Sequence, residues 1–371
     1  MIRICYLLGG FTVNGGIGRV TSILANRLCK SGDYAIHALS FYDTHCPDLY
    51  NIEPEIIRNN LFDEPLTMQA AILKGGIRKL RRYIDRNSID ILIACGALYY
   101  PISILACKGK KTKCICWEHS NVMNARDHSY QMLCRGFGAR NADRVVALTR
   151  HDRQSFVSRY GIQNASQIYN PVDETAMSHV REYDADSTKI LSVGRLSYQK
   201  NFELLVEIAA AVLPAHPEWT WDIYGEGELR SMLEDKISKM GLQGRLTLRG
   251  QVDNLYDLYN DYSMLVMTSR YEGFPMTLLE GMAFGLPLLS FDVLTGPGEI
   301  ISDGGNGYLV EPFLSEKMAS RIEGLMNDRE LRRRLSAQSR QDRERFRLGS
   351  IVAEWDDLFR SMLRNRDPEG R

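Results

Sequence analysis

The chain has 371 residues, too many for one ordinary hydrophobic core and enough for two domains. Its 44% hydrophobic and 25% charged residues suit a globular protein in water, and no apolar run reaches the ~18–20 residues needed to span a bilayer. The formal net charge of zero hides a division: residues 1–173 carry 22 Lys+Arg against 14 Asp+Glu, leaving 24 against 32 for the remainder, so the first half suits an anionic partner.

The opening Met1-Ile-Arg-Ile-Cys-Tyr-Leu-Leu-Gly9 has too short an apolar stretch for a signal peptide and reads as a first strand at 2–8, which points to a cytoplasmic location. Gly15-Gly16-Ile17-Gly18 follows and opens a helix near Gly18, with Val20, Ile23, Leu24 and Leu28 on one face and Gly32 closing it. Without Cβ atoms such a loop lets a phosphate or sugar approach the backbone. It also partly matches a dinucleotide fingerprint, but Thr21 stands where the third glycine belongs, and the next strand, 35–40, ends without a clear acid, Asp43 lying beyond.

Further strands are predicted at 89–94, 113–117 and 144–147. Two cationic clusters, Lys74-Gly-Gly-Ile-Arg-Lys-Leu-Arg-Arg82 and Lys108-Gly-Lys-Lys-Thr-Lys113, read either as solvated surface or as contacts for an anionic membrane. Neither is interleaved with aromatic residues as nucleic-acid grooves are, so no nucleic-acid partner is expected. All eight cysteines (Cys5, Cys29, Cys46, Cys95, Cys107, Cys114, Cys116, Cys134) lie in the first half, in no pattern that suggests a metal site or a disulfide scaffold. Trp117-Glu-His-Ser-Asn121 ends a strand, where His119 is either a structural residue or a hydrogen-bonding partner for a sugar hydroxyl.

The polar stretch 173–188 reads as a linker between a first domain, 1–172, and a second, 189–349. Within it Asp184-Ala-Asp186 has the spacing of a metal–diphosphate motif but no preceding strand, so no metal is expected there. Strands follow at 190–193, 219–224, 245–249, 264–267, 286–291 and 307–310, and then only helices. The last, 350–371, is expected to pack back on the first domain. Strands alternating with amphipathic helices in both halves imply two doubly wound α/β domains.

Two loops of the second domain carry the chemistry. Gly194-Arg-Leu-Ser-Tyr-Gln-Lys-Asn201 places Arg195 and Lys200 at the carboxyl end of a strand, where ligands bind in such sheets, and two cations there suit a diphosphate. Tyr271-Glu-Gly-Phe-Pro-Met-Thr-Leu-Leu-Glu280 turns tightly from a strand into a helix through Gly273 and Phe274, with Pro275 expected at the first helical position. The amides of Met276, Thr277 and Leu278 would then form an anion site. Glu272 precedes those donors and Glu280 lies about one turn beyond, a layout for the sugar and the ribose of a nucleotide sugar.

Together these segments, with Tyr224-Gly-Glu-Gly-Glu-Leu229 and Gly304-Gly-Asn-Gly-Tyr-Leu-Val310, resemble the GT-B glycosyltransferases of family 4, and the marks run from residue 15 to about 312. The resemblance implies a GT-B fold of two Rossmann-like domains facing a central cleft, and a retaining, metal-independent hexosyltransferase. It assigns catalysis to His119, Arg195, Lys200 and Glu272. Donor binding falls to Gly15, Gly16, Arg195, Lys200, Glu272, Gly273, Phe274, the amides of Thr277, Leu278 and Leu279, Glu280 at the ribose, and the backbone at Val252 beside the base. No cofactor is implied, since the nucleotide sugar is a substrate. Glu118-His-Ser-Asn121 is similar to bacterial enzymes that extend lipid-linked oligosaccharides or exopolysaccharides with UDP-sugars. That implies a glycan or lipid-diphosphate acceptor and a position on the inner face of the membrane. A nucleotide-sugar epimerase is the nearest alternative, and an NAD-dependent oxidoreductase a more distant one.

Overall fold

A computed structural model describes residues 1–11, 15–42, 50–122, 129–252 and 254–364. Asp43, Cys46 and positions 365–371 lie outside the described residues. The chain forms two compact units, Met1–Asn170 with Leu348–Arg371, and Pro171–Arg347.

The first unit is built on strands β1 (Ile2–Leu8), β2 (Tyr34–Tyr42), β3 (Ile57–Phe62), β4 (Ile91–Cys95), β5 (Lys113–Glu118), β6 (Arg144–Ala147) and β7 (Ala165–Gln167). They pair in parallel in the order β3-β2-β1-β4-β5-β6-β7. β4, Ile-Leu-Ile-Ala-Cys, is buried at every residue, as a strand covered on both faces must be. β3 and β7 carry too little apolar patterning to be predicted, and both are edges. β3 reads Ile-Arg-Asn-Asn-Leu-Phe with only Leu61 and Phe62 buried, and β7 has three residues. An edge strand needs no two-faced apolar run.

The helix Gly16–Lys30 starts two residues before the expected point, buries Val20, Leu24 and Leu28, and is followed by Gly32 in the left-handed region at φ +77°. The helix Leu348–Arg364 also belongs to this unit. Its Trp355 meets Trp117 edge-on at 5.1 Å between ring centroids, and Phe359 meets Tyr34 at 5.9 Å. Asp356 accepts from the Tyr34 hydroxyl and from Arg360 Nε at 2.8 Å.

The second unit contains β8 (Lys189–Val193), β9 (Thr220–Tyr224), β10 (Leu246–Gly250), β11 (Met264–Met267), β12 (Leu288–Phe291) and β13 (Gly307–Val310), all parallel, in the order β10-β9-β8-β11-β12-β13. The order reverses between β8 and β11, which opens a crevice at their carboxyl ends. Residues 173–188, expected as a linker, fall within this unit. Asp173 caps the helix Glu174–Ser178 and accepts from Tyr256 Oη at 2.8 Å. Arg181 N donates to Asn260 Oδ1 at 2.9 Å and Tyr183 Oη to Ser263 O at 2.7 Å. The polarity of this stretch therefore serves fixed partners. Asp184 Oδ1 accepts from Asp186 N, and Asp186 pairs with Arg329.

Candidate active site

The loops after β8, β9 and β11 are stitched together at the reversal point. Gly194 N donates to Tyr224 O at 2.9 Å, Leu196 N to Glu226 O at 2.9 Å, and Leu229 N to Leu196 O at 3.0 Å. Gly225 sits at φ +139°, and a Cβ there would stand 2.0 Å from Gly194 O; at Gly227 it would stand 2.3 Å from Leu196 O. Only glycine permits this contact. The Tyr224-Gly-Glu-Gly run is thus a clamp that fixes the backbone carrying Arg195.

Lys200 runs its stem over Gly194, where a Cβ would lie 3.0 Å from its methylene carbons. Its Nζ meets Glu272 Oε1 at 2.6 Å, with the lysine side chain 16% and the glutamate 7% exposed. Gln199 Nε2 donates to Tyr271 O at 3.0 Å and to Glu272 Oε2 at 3.4 Å. Arg270 N donates to Gln199 O at 2.8 Å, and Thr268 Oγ1 to Lys200 O at 3.0 Å. The structure therefore joins Lys200 to Glu272 directly. Arg195 is exposed on the same loop.

The turn at Glu272 is held from β12. Thr295 Oγ1 donates to Glu272 O at 2.6 Å, and Gly296, at φ +96°, lies so close that a Cβ would be 2.6 Å from Pro275 Cδ and 2.9 Å from Gly273 O. Thr295 and Gly296 were not singled out from the sequence, although Thr-Gly-Pro-Gly after a buried strand is a turn signal. Phe274 packs on Phe346 with centroids 5.7 Å apart.

Pro275 is the N-cap of the helix Met276–Ala283, one position before the expected place. Leu278 N and Leu279 N both point to Pro275 O, at 3.1 and 3.4 Å. Those two amides close the first turn, so the open head of the helix consists of the Met276 and Thr277 amides. Thr277 Oγ1 lies 3.9 Å from Met267 Sδ. Glu280, one turn on, is buried and accepts from Tyr259 Oη at 2.6 Å, and the Tyr259 ring stacks on Phe284 at 4.8 Å. Val252 is half-buried beyond Gly250. It follows β10, the sheet's edge strand, which lies two places from the β8 strand that leads into the Lys200 loop.

His119, Gly15 and Gly16 lie in the first unit. The Gly15 amide donates to Tyr50 Oη at 2.9 Å, and that hydroxyl donates back to Gly15 O at 2.9 Å. Tyr50 thus covers the backbone that was expected to face a ligand. The His119 ring lies 4.1 Å from that of Trp117. Burial pushes its pKa down to about 4, against the opposing pull of Glu118, so the imidazole is neutral at pH 7. Among the described residues its buried Nε2 has no hydrogen-bond partner.

Two residues that position this segment escaped the sequence reading. Arg135 Nε donates to Glu118 at 2.7 Å in a fully buried pair, to which Ser120 Oγ adds a 2.7 Å hydrogen bond. Burial raises the Glu118 pKa, but Arg135 and Ser120 outweigh it and keep the group ionised. Asp152 accepts from Val122 N at 3.0 Å and from Thr149 Oγ1 at 2.7 Å, and burial pushes its pKa up to about 6. Thr149-x-x-Asp152 is a helix-capping pattern visible in the sequence.

The cationic clusters divide by role. Arg81 Nη1 caps the helix Tyr100–Cys107 through the carbonyls of Leu105 (3.3 Å), Ala106 (3.3 Å) and Lys108 (2.8 Å). Lys79 lies 4.7 Å over the Phe62 ring, Lys110 pairs with Asp85, and Lys113 with Asp143 at 3.0 Å. Lys74, Arg78, Arg82, Lys108 and Lys111 are exposed, as is Leu73 at 87%. Among the described residues no helix is long and apolar enough to cross a membrane, and no group of three or more His, Cys, Asp or Glu could hold a metal ion.

Residues 14–176 match the family model described as Glycosyltransferase Family 4, and residues 173–342 the one described as Glycosyl transferases group 1. The chain is 27% identical to the amylovoran biosynthesis glycosyltransferase AmsD of Erwinia amylovora, over 97% of this chain and 100% of that protein. It is also 27% identical to the GalNAc-alpha-(1->4)-GalNAc-alpha-(1->3)-diNAcBac-PP-undecaprenol alpha-1,4-N-acetyl-D-galactosaminyltransferase of Campylobacter jejuni, over 97% of this chain and 98% of that enzyme. The crystal structure of Anabaena HepE in complex with UDP-glucose superposes with a TM-score of 0.80 at 17% identity, covering 97% of this chain and 100% of that one.

Proposed function

Because this chain belongs to the GT-B glycosyltransferases, with a family-4 half and a group-1 half in one polypeptide, we propose that it transfers a hexosyl or N-acetylhexosaminyl group from a UDP-sugar to a glycan or lipid-diphosphate-linked acceptor, with retention at the anomeric carbon and without a metal or other cofactor. The observation that carries this reading is the Lys200–Glu272 pair, 2.6 Å apart at the mouth of the crevice between β8 and β11. Arg195 stands on the same loop, and the Met276 and Thr277 amides head the neighbouring helix. Cations and helix-head amides together suit a diphosphate, and the glutamate suits the hydroxyls of its sugar.

The chemistry follows from these groups. As the bond from the sugar's anomeric carbon to the diphosphate oxygen breaks, Arg195 and Lys200 take up the growing charge, which is the support for a metal-free reaction. Among the described residues no carboxylate stands out as a nucleophile, so the acceptor oxygen attacks from the face the diphosphate leaves and passes its proton to a diphosphate oxygen. His119 acts as a neutral imidazole that hydrogen-bonds the sugar rather than as a cation. Glu280, oriented by Tyr259, takes the ribose hydroxyls. The UDP-sugar assignment leans on the UDP-glucose complex of HepE, and the acceptor class on the Campylobacter relative.

Thermal unfolding with UDP-, GDP- and ADP-sugars tests the donor. A UDP-sugar at 100 times its Kd adds about 2.7 kcal/mol of stability, and no shift with any nucleotide sugar would overturn the assignment. Product anomer analysis by NMR, with and without EDTA, tests retention and metal independence. Turnover of the donor in the absence of any acceptor would favour an epimerase instead.

A further inference from the structure

We infer that the Glu272 carboxylate is a counter-charge on Lys200 that makes the site discriminate against the bare nucleoside diphosphate, so that tight phosphate binding requires an attached sugar. The inference rests on the nucleotide-sugar reading above. Its basis is that both partners are held in place. The lysine stem is pinned over Gly194, the glutamate's own carbonyl is fixed by Thr295, and Gln199 reaches the second carboxylate oxygen. With 7% of the glutamate and 16% of the lysine side chain exposed, water is a poor substitute partner for either charge.

A diphosphate entering this crevice competes with Glu272 for Lys200 Nζ. If the lysine turns to the phosphate, a nearly buried carboxylate loses its partner, and stripping a buried charge is costly. A nucleotide sugar supplies the remedy, because the sugar hydroxyls can donate to the carboxylate just as the lysine leaves it. A nucleoside diphosphate without its sugar brings no such donor, and its terminal phosphate sets a further negative charge near Glu272. Sugar binding and phosphate binding are therefore coupled through one side chain, and after transfer the coupling favours release of the spent nucleotide. Coupling between binding groups commonly spans about 5–150-fold in affinity.

Calorimetric titration of UDP and of the UDP-sugar, each without acceptor, into the wild type and into Glu272→Gln separates the possibilities. The glutamine keeps the size of the side chain and removes its charge. UDP should bind the variant at least about fivefold more tightly than the wild type, while the UDP-sugar gains nothing or weakens. Product inhibition by UDP should deepen in parallel, and Glu272→Asp, which keeps the charge, should not show the gain. A fall or no change in UDP affinity for Glu272→Gln overturns the inference even though the wild type binds its donor. A wild type that binds neither ligand instead sinks the nucleotide-sugar reading, and this inference falls with it. Should the glutamine variant not fold, the wild type alone decides: UDP binding more weakly than the UDP-sugar supports the coupling, and UDP binding more tightly overturns it.

Discussion

His119 and Asp152, whose carboxylate holds the amide of Val122 three residues beyond the histidine, titrate in opposite senses. The imidazole is depressed to about 4 in the folded protein, so between the unfolded value near 6.5 and pH 4 the unfolded chain binds the proton more readily, and stability falls as pH drops. The Asp152 carboxyl is raised to about 6, so between pH 6 and its unfolded value near 3.9 the folded state binds the proton more readily, and stability rises as pH drops. In the wild type the two slopes oppose each other. Asp152→Asn removes the second one, and its melting temperature should therefore fall more steeply than that of the wild type from pH 6 to pH 4. Parallel melting curves across that range would show that burial is not what governs these groups. Glu118 illustrates what a single sequence conceals: its partner Arg135 lies 17 residues away and is selected by packing, not by local spacing.

At the scale of elements, the glycines of the second unit's clamp and those of the first unit's loop differ in kind. Gly225→Ala would drive a Cβ to within 2.0 Å of Gly194 O, and it should cost at least ~2 kcal/mol and displace the loop that bears Arg195. At Gly15 a Cβ would meet nothing within 4 Å, so Gly15→Ala should melt within about 0.5 kcal/mol of the wild type. If the loop approaches the donor, the same variant should raise the donor KM. Equal stability of the two variants would refute the clamp. The buried strands could be read from sequence because strands covered on both faces must be continuously apolar. β3 and β7 could not, since edges tolerate polar residues. Lys200 and Glu272 were each found from the end of a strand. Their direct pairing was not, because it depends on two loops meeting across a strand reversal that no local pattern records.

At the scale of the molecule, the charge imbalance has a surface to act on. Lys74, Arg78, Arg82, Lys108 and Lys111 stand exposed, as does Leu73, and a basic residue near an anionic lipid surface is worth roughly 1 kcal/mol. Charge reversal at Lys74, Arg78, Arg82 and Lys108 should abolish co-sedimentation with phosphatidylglycerol vesicles at low salt while leaving the melting temperature near that of the wild type. Unchanged sedimentation would reduce the cluster to solvated surface. Arg81 is excluded from that set, because removing its cap on the helix Tyr100–Cys107 would confuse binding with folding.

The return of the helix Leu348–Arg364 to the first unit makes the second unit an insertion in it, entered after Asn170 and left after Arg347. During synthesis the leading half of the chain must therefore wait for the trailing helix, with Trp117 lacking the Trp355 ring that covers it. A stop codon just ahead of Trp355 would leave the more recently made lobe whole and injure the one translated first. Trp355→Ala should do the same more mildly, costing ~3–5 kcal/mol, and limited proteolysis should locate the damage around Trp117 rather than around the Lys200 loop.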